Sequence, residues 1–301
     1  MADETTRCGF VAIIGATNAG KSTLVNGLVG TKVSIVSRKV QTTRALVRGI
    51  AMVGASQVIF VDTPGIFAPK RRLDRAMVET AWSGARDADL VALVIDSARG
   101  LDEETRTLLG KLGTVGHPKI LVLNKIDIVK RDTLLVLADE ANKAAAFDRT
   151  FMVSAANGDG VGDFLAYLAA SVPPGPWLYP ADEVSDVPLR QLAAEITREK
   201  LFERLHQELP YEATVETDQW TEQKDGSVRI EQTIFVARDS QKKIVIGKGG
   251  QAIKAISMAA RSEIAEIAER PVHLFLFVKV RENWADDPER YRAMGIEFPR
   301  N

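Results

Sequence analysis

Gly15-Ala16-Thr17-Asn18-Ala19-Gly20-Lys21-Ser22 carries the clearest chemistry in this sequence. A glycine, four residues and then Gly-Lys-Ser is the pattern of a loop that wraps a phosphate chain in backbone N–H groups. The glycines permit the turn, and a helix starting at its end adds the positive end of its dipole. In that pattern Lys21 reaches the β- and γ-phosphates and Ser22 ligates Mg²⁺. Thr23, the first residue of the expected helix, completes the candidate phosphate-binding set.

Three further stretches complement it. Asp62-Thr63-Pro64-Gly65 closes an apolar run. There Asp62 would hold Mg²⁺ through water, and the Gly65 N–H would contact the γ-phosphate. Asn124-Lys125-Ile126-Asp127 follows another apolar run. Guanine presents N1–H and a 2-amino group side by side, and the Asp127 carboxylate accepts from both, which selects guanine over adenine. Asn124 would fix the loop and reach N7. In Ser154-Ala155-Ala156 a backbone N–H can meet O6. Alone, Thr-Pro-Gly is an ordinary turn and Asn-Lys-x-Asp a polar loop; their order and spacing carry the meaning.

The elements that position these stretches alternate regularly. Apolar runs 9–14, 45–53, 57–61, 90–95, 119–123 and 150–153 read as six strands. The segments 23–29, 73–86, 103–112, 133–146 and 160–170 read as helices. Residues 45–53 and 57–61 form a hairpin around Gly54-Ala55-Ser56. Continuous apolar strands alternating with amphipathic helices predict an α/β domain whose mostly parallel six-stranded sheet is covered on both faces. Ligands of such sheets bind at the carboxyl ends of the strands, where every motif falls.

From Arg7 to Val172 the chain resembles the small P-loop GTPases. That resemblance makes Gln41-Thr42-Thr43-Arg44 switch I, with Thr43 as the threonine that senses Mg²⁺ and γ-phosphate and Thr42 as the alternative. It makes 66–86 switch II. The implied ligands are GTP and GDP with Mg²⁺ on Ser22, Thr43 and Asp62, and Lys21, Thr43, Gly65 and Asn18 are the catalytic candidates.

Bulk composition sets the boundaries. The 301 residues suffice for two domains, and 39 basic against 40 acidic residues leave any nucleic-acid binding to a local patch. The single cysteine, Cys8, excludes an internal disulfide and a cysteine-based zinc site. Neither a signal-peptide pattern nor an apolar run of about 18 residues occurs, so a soluble intracellular protein is expected. His117, His206 and His273 show no ligand spacing and read as surface or strand-packing residues.

The expected GTPase domain spans 1–172, a proline-rich linker 173–188, and a second domain 189–301. In the last, 189–207 reads as a helix, 211–217 and 227–237 as strands, 240–245 as a short helix, 251–269 as a long one and 272–280 as a final strand. This α-β-β-α-α-β order, with Gly247-Lys248-Gly249-Gly250 between two helices, resembles a type II KH domain. A GXXG loop of that kind clamps about four nucleotides of sugar–phosphate backbone. The RNA-binding candidates are Lys242, Lys243, Ile246, Gly247, Lys248, Gly249, Gly250 and Lys254, with Trp284 as a base-stacking or packing residue.

A GTPase domain followed by one type II KH domain resembles the bacterial Era family. The resemblance implies a monomer that hydrolyses GTP, binds single-stranded RNA at the 3′ end of 16S rRNA and assists maturation of the 30S ribosomal subunit. It also implies cytoplasmic residence with peripheral association at the inner membrane. A second reading, an RNA-binding scaffold with a structural nucleotide domain, is opposed by the intact Lys21, Ser22, Asp62 and Asp127. Ile66 follows Gly65, where Ras-like enzymes place a water-orienting glutamine. No arginine is clearly placed as an internal finger, with Arg44 left open. Asn18 together with a hydrophobic residue at 66 resembles the potassium-activated GTPases, in which the Asn carbonyl holds K⁺ between the phosphates. Asn also simply suits the turn geometry of this loop.

Overall fold

The computed structural model describes residues 5–37, 39, 42–205, 212–282, 287–293 and 296–298. Gln41, His206, Tyr211 and Trp284 lie outside the described residues. The chain divides into two compact units, one of residues 1–34, 43–186 and 294–301, the other of 35–42 and 187–293.

The first unit is a six-stranded sheet in the order β2-β3-β1-β4-β5-β6. Its strands are β1 (Arg7–Gly15), β2 (Val47–Val53), β3 (Ser56–Asp62), β4 (Leu90–Asp96), β5 (Lys119–Asn124) and β6 (Arg149–Val153). Only β2 runs antiparallel to its neighbour, β3. The period of two sends alternate side chains to opposite faces. Val11, Ile13, Val94 and Val122 pack under helices α1 (Lys21–Val29) and α5 (Val161–Ser171). Ala12, Ile14, Leu93 and Leu121 pack under α2 (Arg72–Asp87), α3 (Glu103–Leu112) and α4 (Arg131–Ala144). Burial on both faces explains why the central strands are apolar throughout.

Residues 173–186 of the proline-rich stretch lie along the first unit. Cys8 N donates to Pro173 O at 3.1 Å, Gly175 N to Thr6 O at 2.9 Å, and Ile50 N to Val184 O at 2.9 Å. Gln57, fully buried, accepts from Leu178 N at 2.9 Å and donates to Tyr179 O at 2.8 Å.

In the second unit, helices α6 (Leu189–Arg204), α7 (Asp239–Ile246) and α8 (Gln251–Ile267) accompany a three-stranded sheet of order β7-β8-β9. The strands are β7 (Ala213–Glu222), antiparallel to β8 (Val228–Val236), and β9 (Val272–Val280), parallel to β8. This is the α-β-β-α-α-β order read from the sequence, followed by a short helix α9 (Pro288–Ala293) that the sequence did not announce. Leu192 and Ile196 of α6 and Ala260 and Ile264 of α8 pack on Val228, Ile230, Val272 and Leu274 of the sheet. Residues 35–42 belong with this unit: Ile35 joins that core, and Val36 N donates to Glu199 Oε1 at 2.6 Å.

Candidate nucleotide and nucleic-acid sites

Residues 15–20 turn between the end of β1 and the start of α1. Gly20 has φ +93°, and a Cβ there would collide with the Asn124 amide. Lys21 is buried, its Nζ donating to Ala16 O at 2.9 Å and Gly15 O at 3.2 Å. Burial lowers its pKa from 10.5 to about 8, with the Asp62 charge opposing the shift. An ammonium held against the loop by two of its carbonyls is a ready partner for phosphate oxygens. Asn18 sits at φ +61°, within the left-handed region that Asn tolerates.

Ser22, Thr43 and Asp62 converge. Ser22 Oγ donates to Asp62 Oδ2 at 2.7 Å and lies 2.9 Å from Thr43 Oγ1. A third hydroxyl, Ser34, also donates to Asp62 Oδ2 at 2.7 Å. Asp62 is fully buried, its Oδ1 is without a hydrogen-bond partner, and burial raises its pKa against the pull of Ser22, Ser34 and Lys21. A buried carboxylate oxygen left open beside two hydroxyls suits a hard cation such as Mg²⁺, which takes oxygen ligands. Ser34 was missed because it stands in a polar stretch without a local motif.

The chain leaves β3 at Asp62 and passes close to the phosphate loop. Thr63 Oγ1 donates to Ile13 O at 2.8 Å, and Ile66 N donates to Gly15 O at 3.1 Å. Pro64 is buried between Thr63 and Gly65. A Cβ at Gly65 would lie 2.8 Å from Thr17 Cγ2, so only glycine allows this approach. The Ile66 side chain is buried with Ala16 in the core. Arg44 is buried too, at 6% exposure.

Asn124 connects three segments. Its Nδ2 donates to Ala19 O at 2.8 Å, and its Oδ1 accepts from Ala155 N at 2.9 Å. Asp127 accepts from Ser154 Oγ at 2.6 Å and lies in a 3-10 turn, Ile126–Ile128. Lys125, at φ +67°, pairs with Asp96 at 2.6 Å. Ala155 is half-buried against the core, and Ala156 is exposed beside it.

In the second unit Gly247 has φ +74°, and a Cβ there would come within 2.7 Å of the Ala252 Cβ. Gly249 (φ +60°) and Gly250 (φ +77°) complete the turn into α8. Lys243, Lys248 and Lys254 are exposed around it, Lys242 and Ile246 half-buried. Farther along α8, a cavity of about 270 Å³ opens between that helix and β9, lined by Lys254, Ser257, Met258, Arg261, His273 and Phe275 among others. Met258 and Phe275 expose 55% and 42% of their surface, enough to offer apolar faces to an unstacked base. These groove residues escaped the sequence reading because the apolar periodicity of α8 and β9 points to the core and says nothing of the opposite face.

Fold and sites together define a P-loop GTPase domain followed by a KH domain. Residues 10–125 match the family of 50S ribosome-binding GTPases, and residues 208–285 match the KH domain family. The chain is 68% identical to GTPase Era of Bradyrhizobium sp. (strain BTAi1), over 98% of its length and 96% of that relative. It is also 68% identical to GTPase Era of Rhizobium meliloti, over 98% of its length and 94% of that relative. A variant of Aquifex aeolicus Era bound to GDP·AlF4⁻ superposes with a TM-score of 0.90 at 37% identity, covering 96% of this chain and 99% of that one. An Era complex with MgGDPNP and nucleotides 1506–1542 of 16S rRNA gives the same TM-score, identity and coverage. The chain belongs to the Era family of GTPases and is a GTP-hydrolysing enzyme.

Proposed function

We propose that this GTPase is a nucleotide-driven switch that binds the single-stranded 3′ end of 16S rRNA through its KH unit and assists assembly of the 30S subunit. The observation that carries the proposal is the GXXG loop, ringed by exposed Lys243, Lys248 and Lys254, in one chain with a complete guanine-nucleotide motif set. The Era complex with 16S rRNA, at 37% identity, supports the choice of RNA. The loop amides and lysines would hold phosphates while Met258 and Phe275 contact bases in the adjoining groove.

In the nucleotide site, the amides of 15–20 and Lys21 bind the phosphates, and Asp127 holds the guanine edge while Asn124 and Ser154–Ala156 brace that loop. Ser22, Thr43 and Asp62 would hold Mg²⁺, which would supply positive charge against the phosphates. Gly65 N–H contacts the γ-phosphate. Ile66 cannot orient water, so intrinsic turnover is slow. The Asn18 side-chain carbonyl is the proposed ligand of a K⁺ ion, and that cation would supply the positive charge that an arginine finger otherwise brings. No described helix is long and apolar enough to cross a membrane. The inner-membrane association expected of the family would therefore be peripheral.

The test compares an oligonucleotide of the 16S 3′ end with a scrambled one, each titrated against the GDPNP- and GDP-bound protein. Preferential binding of the 16S sequence in the GDPNP state is expected. Equal binding of both sequences would overturn the RNA assignment, and hydrolysis unaltered by Lys21→Ala would overturn the site assignment.

A further inference from the structure

Arg99 stands outside every motif named above, in the turn between β4 and α3, and reaches back to the phosphate-binding loop. Its Nη1 donates to the Thr17 carbonyl at 3.1 Å. Its Nη2 lies 2.5 Å from Asp102 and 3.6 Å from Glu104. The turn that carries it is well braced. Asp96 Oδ1 accepts from Ala98 N at 3.0 Å, Gly100 N donates to Asp96 O at 3.0 Å, and Asp102 caps α3 by accepting from Thr105 N at 2.9 Å. Two carboxylates thus hold one side of the guanidinium while the other side grips a single carbonyl of the loop.

Thr17 is 6% exposed and packs against Gly65. No peptide bond among the described residues is cis. In a trans peptide the carbonyl and the following N–H point in opposite directions. Drawing the Thr17 carbonyl to Arg99 therefore turns the Asn18 N–H the other way. Asn18 stands at φ +61°, a left-handed conformation that costs Asn less than most side chains but that glycine alone occupies freely. Rotation of the 17–18 peptide plane would relieve that φ and turn the N–H aside. A restraint on the carbonyl prevents the rotation.

We infer that Arg99 is a positioning residue for the phosphate-binding loop: it holds the Thr17–Asn18 peptide so that the Asn18 N–H faces the phosphates of the bound nucleotide. This rests on the assignment of 15–22 as the phosphate site. The guanidinium acts through its hydrogen bond, because Asp102 and Glu104 offset its charge.

The test is a double-mutant cycle on GDP affinity, joined to the Asn18 amide resonance with and without Mg·GDP. Arg99→Ala should weaken binding about tenfold, the loss expected for one hydrogen bond to a charged acceptor. It should also abolish the nucleotide-induced downfield shift of the Asn18 amide, and Arg99→Lys should restore most of both. Glycine accepts positive φ without strain, so in an Asn18→Gly background Arg99→Ala should cost less than about twofold. Equal losses in both backgrounds, or an Asn18 amide that shifts normally in Arg99→Ala, would overturn the proposal. GDP affinity unchanged in a Lys21→Ala control would overturn the phosphate-loop assignment itself, and this inference with it.

Discussion

The Asn124 side chain donates a 2.8 Å hydrogen bond to the carbonyl of Ala19, 105 residues earlier in the chain. With Ala155 N bound to its Oδ1, one amide ties the phosphate loop to both base-side loops. Asn124→Ala would strand two backbone groups at a site only 2% exposed. Each buried unpaired group costs about 1–3 kcal/mol. GTP and GDP affinity should fall together, with a lower melting temperature for the nucleotide-free protein. A loss confined to one nucleotide, measured by calorimetric titration, would contradict this bracing role.

Base selectivity should reside in Asp127. Asp127→Asn sets an amide donor against the guanine 2-amino group, at a cost of about 1.5–3 kcal/mol for the lost charged acceptor and more for the facing donors. GTP binding should weaken and xanthosine nucleotides, with a carbonyl at that position, should gain. A competition assay between the two nucleotides reads the switch directly.

RNA binding should separate from hydrolysis. Lys248→Asp with Gly249→Asp places two carboxylates at the exposed turn before α8, against the phosphate chain. Loss of 16S oligonucleotide binding in a filter assay is expected, with basal GTPase nearly intact. RNA affinity surviving at physiological salt would remove this loop from the contact surface.

Hydrolysis should run faster in KCl than in NaCl at equal ionic strength, and Asn18→Ala should erase the difference. The rise reports a cation filling the position of an arginine finger. Identical rates in the two salts would leave Asn18 with the turn geometry alone, consistent with its φ of +61°.

Lys21 gives the nucleotide-free protein a pH signature. Its pKa falls from 10.5 to about 8 on folding because burial disfavours the charged form. Below about pH 8 both states carry the proton, and the full cost of burying the ammonium is present. Between about 8 and 10.5 the folded state releases the proton while the unfolded state keeps it, so stability rises with pH. Wild type should therefore gain on Lys21→Met across that window, by up to about 3 kcal/mol. Urea unfolding at pH 7.5 and 10 measures it, and parallel curves would refute it.

The sequence by itself determined the six-strand alternation, the place of each motif at a strand end and the KH element order. These depend on local information: side-chain period, glycine at turns, and residue type at fixed spacing. Only the tertiary structure put Ser34 on Asp62, Arg99 on Thr17, and Met258 and Phe275 into one groove. It also extended β7 to Glu222 through polar residues, because pairing with β8 supplies the hydrogen bonds that their propensity does not favour. It laid 173–186 along the first unit, where Gln57 satisfies the backbone of Leu178 and Tyr179. None of these contacts has a sequence period, since each joins a loop or strand edge to a partner brought near only by the folded sheet. A local pattern records which elements form and what chemistry they carry; which side chains meet across the chain is decided when those elements pack.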